Sequence, residues 1–196
     1  MTDAAASAQP RILEGYRVLD FPQFLAGPTT SRLMAEMGAE IIKVEMAPEG
    51  DPTRALPHRR KGRSGYYIQQ NRGKKSVCVD MRTERGRELV KGLVKDCDVI
   101  LENFAPGVIG RLGLGYEVVR SLNPTIIMCS ISAFGQTGPL AKLPGFDYIA
   151  MAVSGVMDMI GDPDQAPYFP MLGIGDVSAG VHALAAITGA LLHRYR

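Results

Sequence analysis

Tryptophan is absent from this sequence, and cysteine and histidine occur only three times each. Each scarcity closes off a chemistry. Cys78, Cys97 and Cys129 are widely spaced, odd in number and without a CxxC pair, which predicts reduced, buried thiols in a cytoplasmic protein rather than a disulfide framework. His58, His182 and His193 have no ligand spacing with them, so no metal site is expected. Charge of one sign is not in excess. The net charge of +2 argues against a nucleic-acid partner and against a membrane surface. No apolar run reads as long enough to cross a bilayer. There is no P-loop, HExxH or GxSxG motif. The first residues are polar and alanine-rich, which reads as a frayed tail over 1–14 rather than a signal or transit peptide.

What is present is an ordinary globular balance: 196 residues, 46% hydrophobic and 21% charged, enough for one sizeable core. Arg17–Phe21 reads as a strand, followed by the loop Pro22–Gly27 and a helix with Pro28 near its start, Leu33, Met34 and Met37 on one face, and Gly38 closing it. Glu40–Glu45 reads as the next strand, so the first βαβ unit implies a parallel sheet. Residues 46–65 are rich in Pro, Gly and Arg and read as one long loop. Its basic centre, His58–Arg63, is either a solvated face or a grip on a phosphate-bearing ligand.

Ser76–Asp80, Asp98–Glu102 and Thr125–Ser130 supply three more strands. Between them lie a helix capped by Thr83, with Leu89, Leu93 and Val94 inward, a short helix at Val108–Leu112 and another at Tyr116–Leu122. A Gly/Pro loop over 132–145 leads to a helix from Phe146 to Met157. The predicted class is α/β, Rossmann-like, with a mainly parallel sheet flanked by helices over 15–196. Ligands of such sheets bind beyond the carboxyl ends of the strands.

The most informative stretch is Gly173-Ile-Gly-Asp-Val-Ser-Ala-Gly180. The apolar run 168–172 before it reads as a strand and Val181–Leu192 after it as a helix. Asp176 then sits at a helix start, where the helix dipole favours its ionised form, beside N–H groups bared by two glycines. A carboxylate so placed can attack an acyl carbon while the N–H groups hold the oxyanion. Asp is also among the commonest helix caps, and these residues alone allow both readings. A dinucleotide fingerprint is disfavoured, because the carboxylate would repel a pyrophosphate and the third glycine is misplaced. Asp158, Asp162 and Asp164 read as turn formers.

Taken in order, Arg17-Val-Leu-Asp-Phe21, Ala26-Gly-Pro28, Ile42-Lys-Val-Glu45, Gly50-Asp51, Arg54, Asn71, Lys74-Lys-Ser76, Glu102-Asn-Phe104, Pro106-Gly107, Arg111-Leu-Gly113, Gly145-Phe-Asp147 and Gly175-Asp176 resemble class III CoA-transferases, the CaiB/BaiF family. The resemblance runs from Gly15 to the end. It implies that Asp176 is a nucleophile that passes through an acyl anhydride and an aspartyl-CoA thioester. It implies acyl-CoA and a carboxylic acid as substrates, a homodimer, and no tightly bound cofactor. The family's CoA contacts fall on Leu25, Ala26, Val79, Asp80, Met81, Arg82, Asn103, Phe104, Ala105 and Arg111, with Gly145 and Phe146 near the thioester. Asn103 suits a pantetheine amide, and Arg82 and Arg111 suit phosphate.

Three departures from the family pattern stand out. Formyl-CoA transferases often carry glutamine where Leu25 stands and arginine where Met46 stands, which argues against formyl and oxalyl substrates. Members are also about twice this long, so the expectation is a fragment or truncated product without the smaller second domain. A racemase acting on 2-methylacyl-CoA would share the fold, but its histidine position here is Phe146, which cannot carry a proton. A non-catalytic CoA-binding fragment is the remaining alternative.

Overall fold

The computed structural model describes residues 9–168 and 173–196. Five strands form one parallel sheet: β1 (Arg17–Asp20), β2 (Glu40–Met46), β5 (Lys75–Val79), β6 (Val99–Glu102) and β7 (Ile127–Ser130). Their spatial order is β5-β2-β1-β6-β7. All five predicted strands outside 168–172 are therefore present, with ends that differ from the expected ones by no more than two residues. The strand read over 168–172 falls mostly outside the described residues.

The chain begins in the middle of the sheet, builds outward through β2 and β5, then returns to lay β6 and β7 on the other side of β1. The connections at β1 and β6 thus diverge, and a crevice opens between the loops that follow these two strands. Arg17–Asp20 pair with Glu40–Lys43 on one side, and Val18–Asp20 with Val99–Leu101 on the other.

Both faces of the sheet are covered. On one, Val18, Ile41, Val99 and Leu101 pack against Met34 of α1 (Ala26–Glu36) and against Ile187 and Leu191 of α7 (Ile174–Tyr195). On the other, Leu19, Val44 and Ile100 pack against α3 (Glu84–Val94), α4 (Val108–Arg111) and α5 (Tyr116–Leu122). Near-continuous apolar strands such as Val99-Ile-Leu101 are what a parallel sheet buried on both sides requires.

Several expectations need correction. Leu13 is buried, and its N–H donates to the Met37 carbonyl at 2.9 Å, so the ordered body starts before residue 15. Leu89 faces solvent; the inward stripe of α3 is Gly86, Val90 and Val94, spaced four apart. Cys78 is exposed because β5 is an edge strand, whereas Cys97 is buried. The helix read over Phe146–Met157 is shorter, α6 (Asp147–Val153). α7 is long and apolar enough by length and composition to cross a membrane, contrary to expectation. Here its inner side packs on α1 and the sheet through Gly180, Ala183, Ile187 and Leu191.

Residues 46–65 are not a plain loop. They hold a 3-10 turn (Pro52–Ala55) and a hairpin of β3 (Arg59–Arg60) and β4 (Arg63–Ser64), and lead into the helix α2 (Gly65–Asn71). Beneath them lies a buried polar network. Lys43 Nζ pairs with Asp51 Oδ2 at 2.8 Å and donates to the Pro22 carbonyl at 2.6 Å. Lys74 Nζ pairs with Asp20 Oδ2 at 3.1 Å. Glu45 is gripped by both arms of Arg54 at 2.7 Å and by the hydroxyls of Tyr67 and Ser76. Arg54 lies over the Tyr67 ring. Lys43 holds the β1–α1 loop by its backbone and so shapes the crevice edge.

Candidate active site

The loops after β1, β6 and β7 and the starts of α6 and α7 enclose a cleft of about 340 Å³. α7 runs antiparallel to the strands. Its N-terminus lies at their carboxyl ends, and Arg194 near its other end binds Asp98 at 2.6 Å, at the start of β6. The helix thereby carries Asp176 to the crevice. A smaller cavity of about 260 Å³ adjoins the cleft and shares Asp176, Ala26, Asn103 and Phe146 with it.

The structure brings eight of the predicted site residues to the cleft: Leu25, Ala26, Asn103, Phe104, Ala105, Gly145, Phe146 and Asp176. Arg111 flanks it, its guanidinium lying over Gly107 in the β6–α4 loop. The remaining four lie apart from its lining. Val79 and Met81 are core residues, with Met81 only 1% exposed, and cannot offer side chains to a ligand. Asp80 and Arg82 are surface partners, with Arg82 Nε 2.8 Å from Asp80 Oδ1. Each moves the other's ionisation: the Asp80 carboxyl is lowered and the Arg82 guanidinium raised.

Asn103 is committed locally. Its Oδ1 accepts the Gln23 N–H at 2.9 Å and its Nδ2 donates to the Gln23 carbonyl at 2.8 Å. Its side chain therefore ties the β6 loop to the β1 loop, while the residue still lines the cleft. Phe104 packs beside Phe21 at 6.5 Å between centroids and rims the cleft as well, so core packing and cleft lining hold together. Phe146 is 61% exposed and stacks on Tyr148.

Asp176 stands in the first turn of α7, half-buried. Gly173 precedes the helix with φ of +62°, and a Cβ there would sit 2.5 Å from Leu25 Cδ2, so glycine is the favoured residue at this turn. Two points differ from expectation. The Asp176 N–H is not open to an oxyanion, because it donates to Asp147 Oδ1 at 2.9 Å. The carboxyl is not held low by the helix start; burial, with the Asp147 charge second, pushes it up to about 6. It remains mostly ionised at neutral pH, by a narrower margin than its helix position alone predicts.

The sequence reading missed Ser132, Ala133 and Leu143 as cleft walls, although Ser132 and Ala133 lie two and three residues past the carboxyl end of β7, where ligands are expected. It also missed Asp147 as the neighbour of Asp176. The signal available was an acidic residue opening an apolar helix, two positions after Gly145. Tyr66 of α2 is a further neighbour; its phenol is pushed up by burial and then by the charges of Asp176 and Asp51.

A parallel sheet with a switch-point cleft and an acidic residue at a helix start defines an α/β ligand-binding domain with a candidate carboxylate nucleophile. The chain belongs to the CoA-transferase family III, whose model matches residues 13–196. It is 41% identical over its whole length to a succinate–glutarate CoA-transferase of Agrobacterium fabrum, covering 50% of that protein. It is 43% identical to a succinyl-CoA:glutarate CoA-transferase of Mus musculus over 94% of the chain and 42% of that protein. Its structure is similar to that of a CaiB/BaiF family protein from Brucella suis, with a TM-score of 0.91 and 40% identity over 96% of this chain and 51% of that one. The chain thus spans about half the length of the curated relatives it matches.

Proposed function

We propose that this chain carries the CoA-binding, nucleophile-bearing part of an acyl-CoA:carboxylate CoA-transferase. The observation that carries the reading is the Asp176 carboxylate, raised into a cleft at the sheet's switch point by a helix start. One Asp176 oxygen attacks the thioester carbonyl; the C–S bond breaks, and CoA thiolate leaves an acyl–aspartyl anhydride. The thiolate then attacks the aspartyl carbon, releasing the donor acid and leaving an aspartyl-CoA thioester. The acceptor carboxylate attacks that thioester and expels thiolate, which finally takes the acceptor acyl group and frees Asp176. Every step exchanges one acyl bond for another, so no oxidant or metal enters the balance.

The names of the two relatives above point to a short dicarboxylic acid as acceptor. Leu25 in the cleft wall gives this chain an apolar contact where formyl-CoA transferases often have an amide. Pantetheine would run along Leu25, Ala26 and Phe104, with Arg111 toward phosphate. Phe146 at the thioester position offers no proton-transfer group, which disfavours the racemase alternative. A homodimer in the cytoplasm completes the reading, in keeping with three free thiols.

The test is intact-mass analysis after mixing the protein with an acyl-CoA. A covalent adduct that maps to Asp176 and vanishes in Asp176→Ala is expected. An adduct that persists in Asp176→Ala, or exchange of the α-proton with solvent without CoA transfer, overturns the assignment.

A further inference from the structure

α7 begins without a cap of its own. The residue before its first turn is Gly173, which has no side chain to accept the helix's opening N–H groups. The acceptor comes from another helix, 29 residues earlier: Asp147 Oδ1 takes the Asp176 N–H at 2.9 Å. Asp147 lies in the first turn of α6, directly after the cleft residue Phe146. One carboxylate therefore joins two helix starts that both face the cleft. Gly175 makes the room, since a Cβ there would meet Asp147 Oδ1 at 3.0 Å and Ala150 Cβ at 3.6 Å.

We propose that Asp147 is a positioning residue for Asp176, capping α7 from outside and holding the backbone from which the nucleophile reaches the cleft. The proposal rests on the reading of Asp176 as nucleophile. A neutral asparagine would cap equally well. An aspartate here adds a second negative charge beside Asp176, and that charge is one of the two causes that push the Asp176 carboxyl up to about 6. Asp147 therefore acts on placement through its oxygen and on protonation through its charge. The Tyr66 phenol of α2 also senses the Asp176 charge, and Tyr148 follows Asp147 in the first turn of α6.

Asp147→Asn and Asp147→Ala separate the two actions. Adduct formation from acyl-CoA is followed by quenched mass analysis across pH, and the Asp176 carboxyl is titrated by carbon NMR in parallel. Asp147→Asn keeps the adduct and moves the acid limb and the NMR titration down by about half to one pH unit. Asp147→Ala slows adduct formation on the order of tenfold or more, with CoA affinity unchanged, and asparagine rescues that loss. If the alanine variant fails to fold, the asparagine variant decides alone. An unshifted Asp176 titration in Asp147→Asn overturns the proposal, as does an alanine variant that reacts at the wild-type rate. Absence of any adduct in the wild-type protein instead sinks the nucleophile reading, while the NMR titration still reports on the link between the two carboxylates.

Discussion

On the proposed mechanism Asp176 attacks as a carboxylate, yet it sits where burial and a neighbouring charge disfavour that form. With its carboxyl pushed up to about 6, adduct formation should fall about tenfold per pH unit below that value, a profile readable by single-turnover mass analysis. The same displacement costs stability. A carboxyl raised in the folded state contributes stability below the ordinary aspartate range near 4 and loses it as pH rises through about 6. Asp176→Asn should therefore be more stable than wild type at pH 7–8, by about 1–3 kcal/mol, while forming no adduct. Thermal unfolding at pH 5 and pH 8 checks this: the advantage must grow with pH. Glu45 has the opposite sign. Burial pushes its carboxyl up, but hydrogen bonds from Arg54, Ser76, Tyr67 and the Asp51 N–H win and bring it down to about 2. Its contribution is present above the ordinary glutamate range and lost as pH falls toward about 2, so Glu45→Gln should cost about 3 kcal/mol at neutral pH and almost nothing near pH 2.

At the scale of elements, the contact that sets the cleft is α7 against α1. Gly180 allows it: a Cβ there would lie 2.6 Å from the Ala26 carbonyl oxygen and 2.9 Å from Thr29 Cβ. Thr30 Oγ1 donates across the same contact to the Gly180 carbonyl at 2.9 Å. Gly180→Val should cost about 1–3 kcal/mol in urea unfolding and, because Ala26 and Asp176 lie on the two helices it separates, should weaken CoA binding as well. Most elements are legible from local pattern: apolar runs give the strands, and Thr83 marks the start of α3, its Oγ1 accepting the Gly86 N–H at 3.0 Å. α2 was not legible. Its seven residues carry no apolar stripe long enough to register, and its stability comes from the Ser64 cap and from Tyr67 docking on Glu45 and Arg54.

Across the whole molecule, the feature hidden from the sequence is the buried polar network. Lys43, Asp51, Lys74 and Asp20 each have side chains no more than 1% exposed. Removing one partner strands a charge in the interior. Lys43→Met should cost about 3–5 kcal/mol by urea unfolding, with much of the loss recovered in the double variant Lys43→Met/Asp51→Leu. Arg72→Ala, which breaks an exposed pair with Glu36 and an exposed hydrogen bond to the Gln69 carbonyl, should cost no more than about 1 kcal/mol.

The sequence by itself determined the five strands of the main sheet, their parallel direction, and the arrival of Asp176 on a glycine turn at a helix start. These depend on spacing among near neighbours, which the chain carries wherever it folds. Only the tertiary structure decided that Asp147 stands against Asp176, that Asn103 is bonded to Gln23, and that Lys43 is buried beneath the β1 loop. Those pairs lie between 21 and 80 residues apart along the chain. They meet because the sheet places β1 between β2 and β6, and desolvation at the meeting points then sets which groups hold charge.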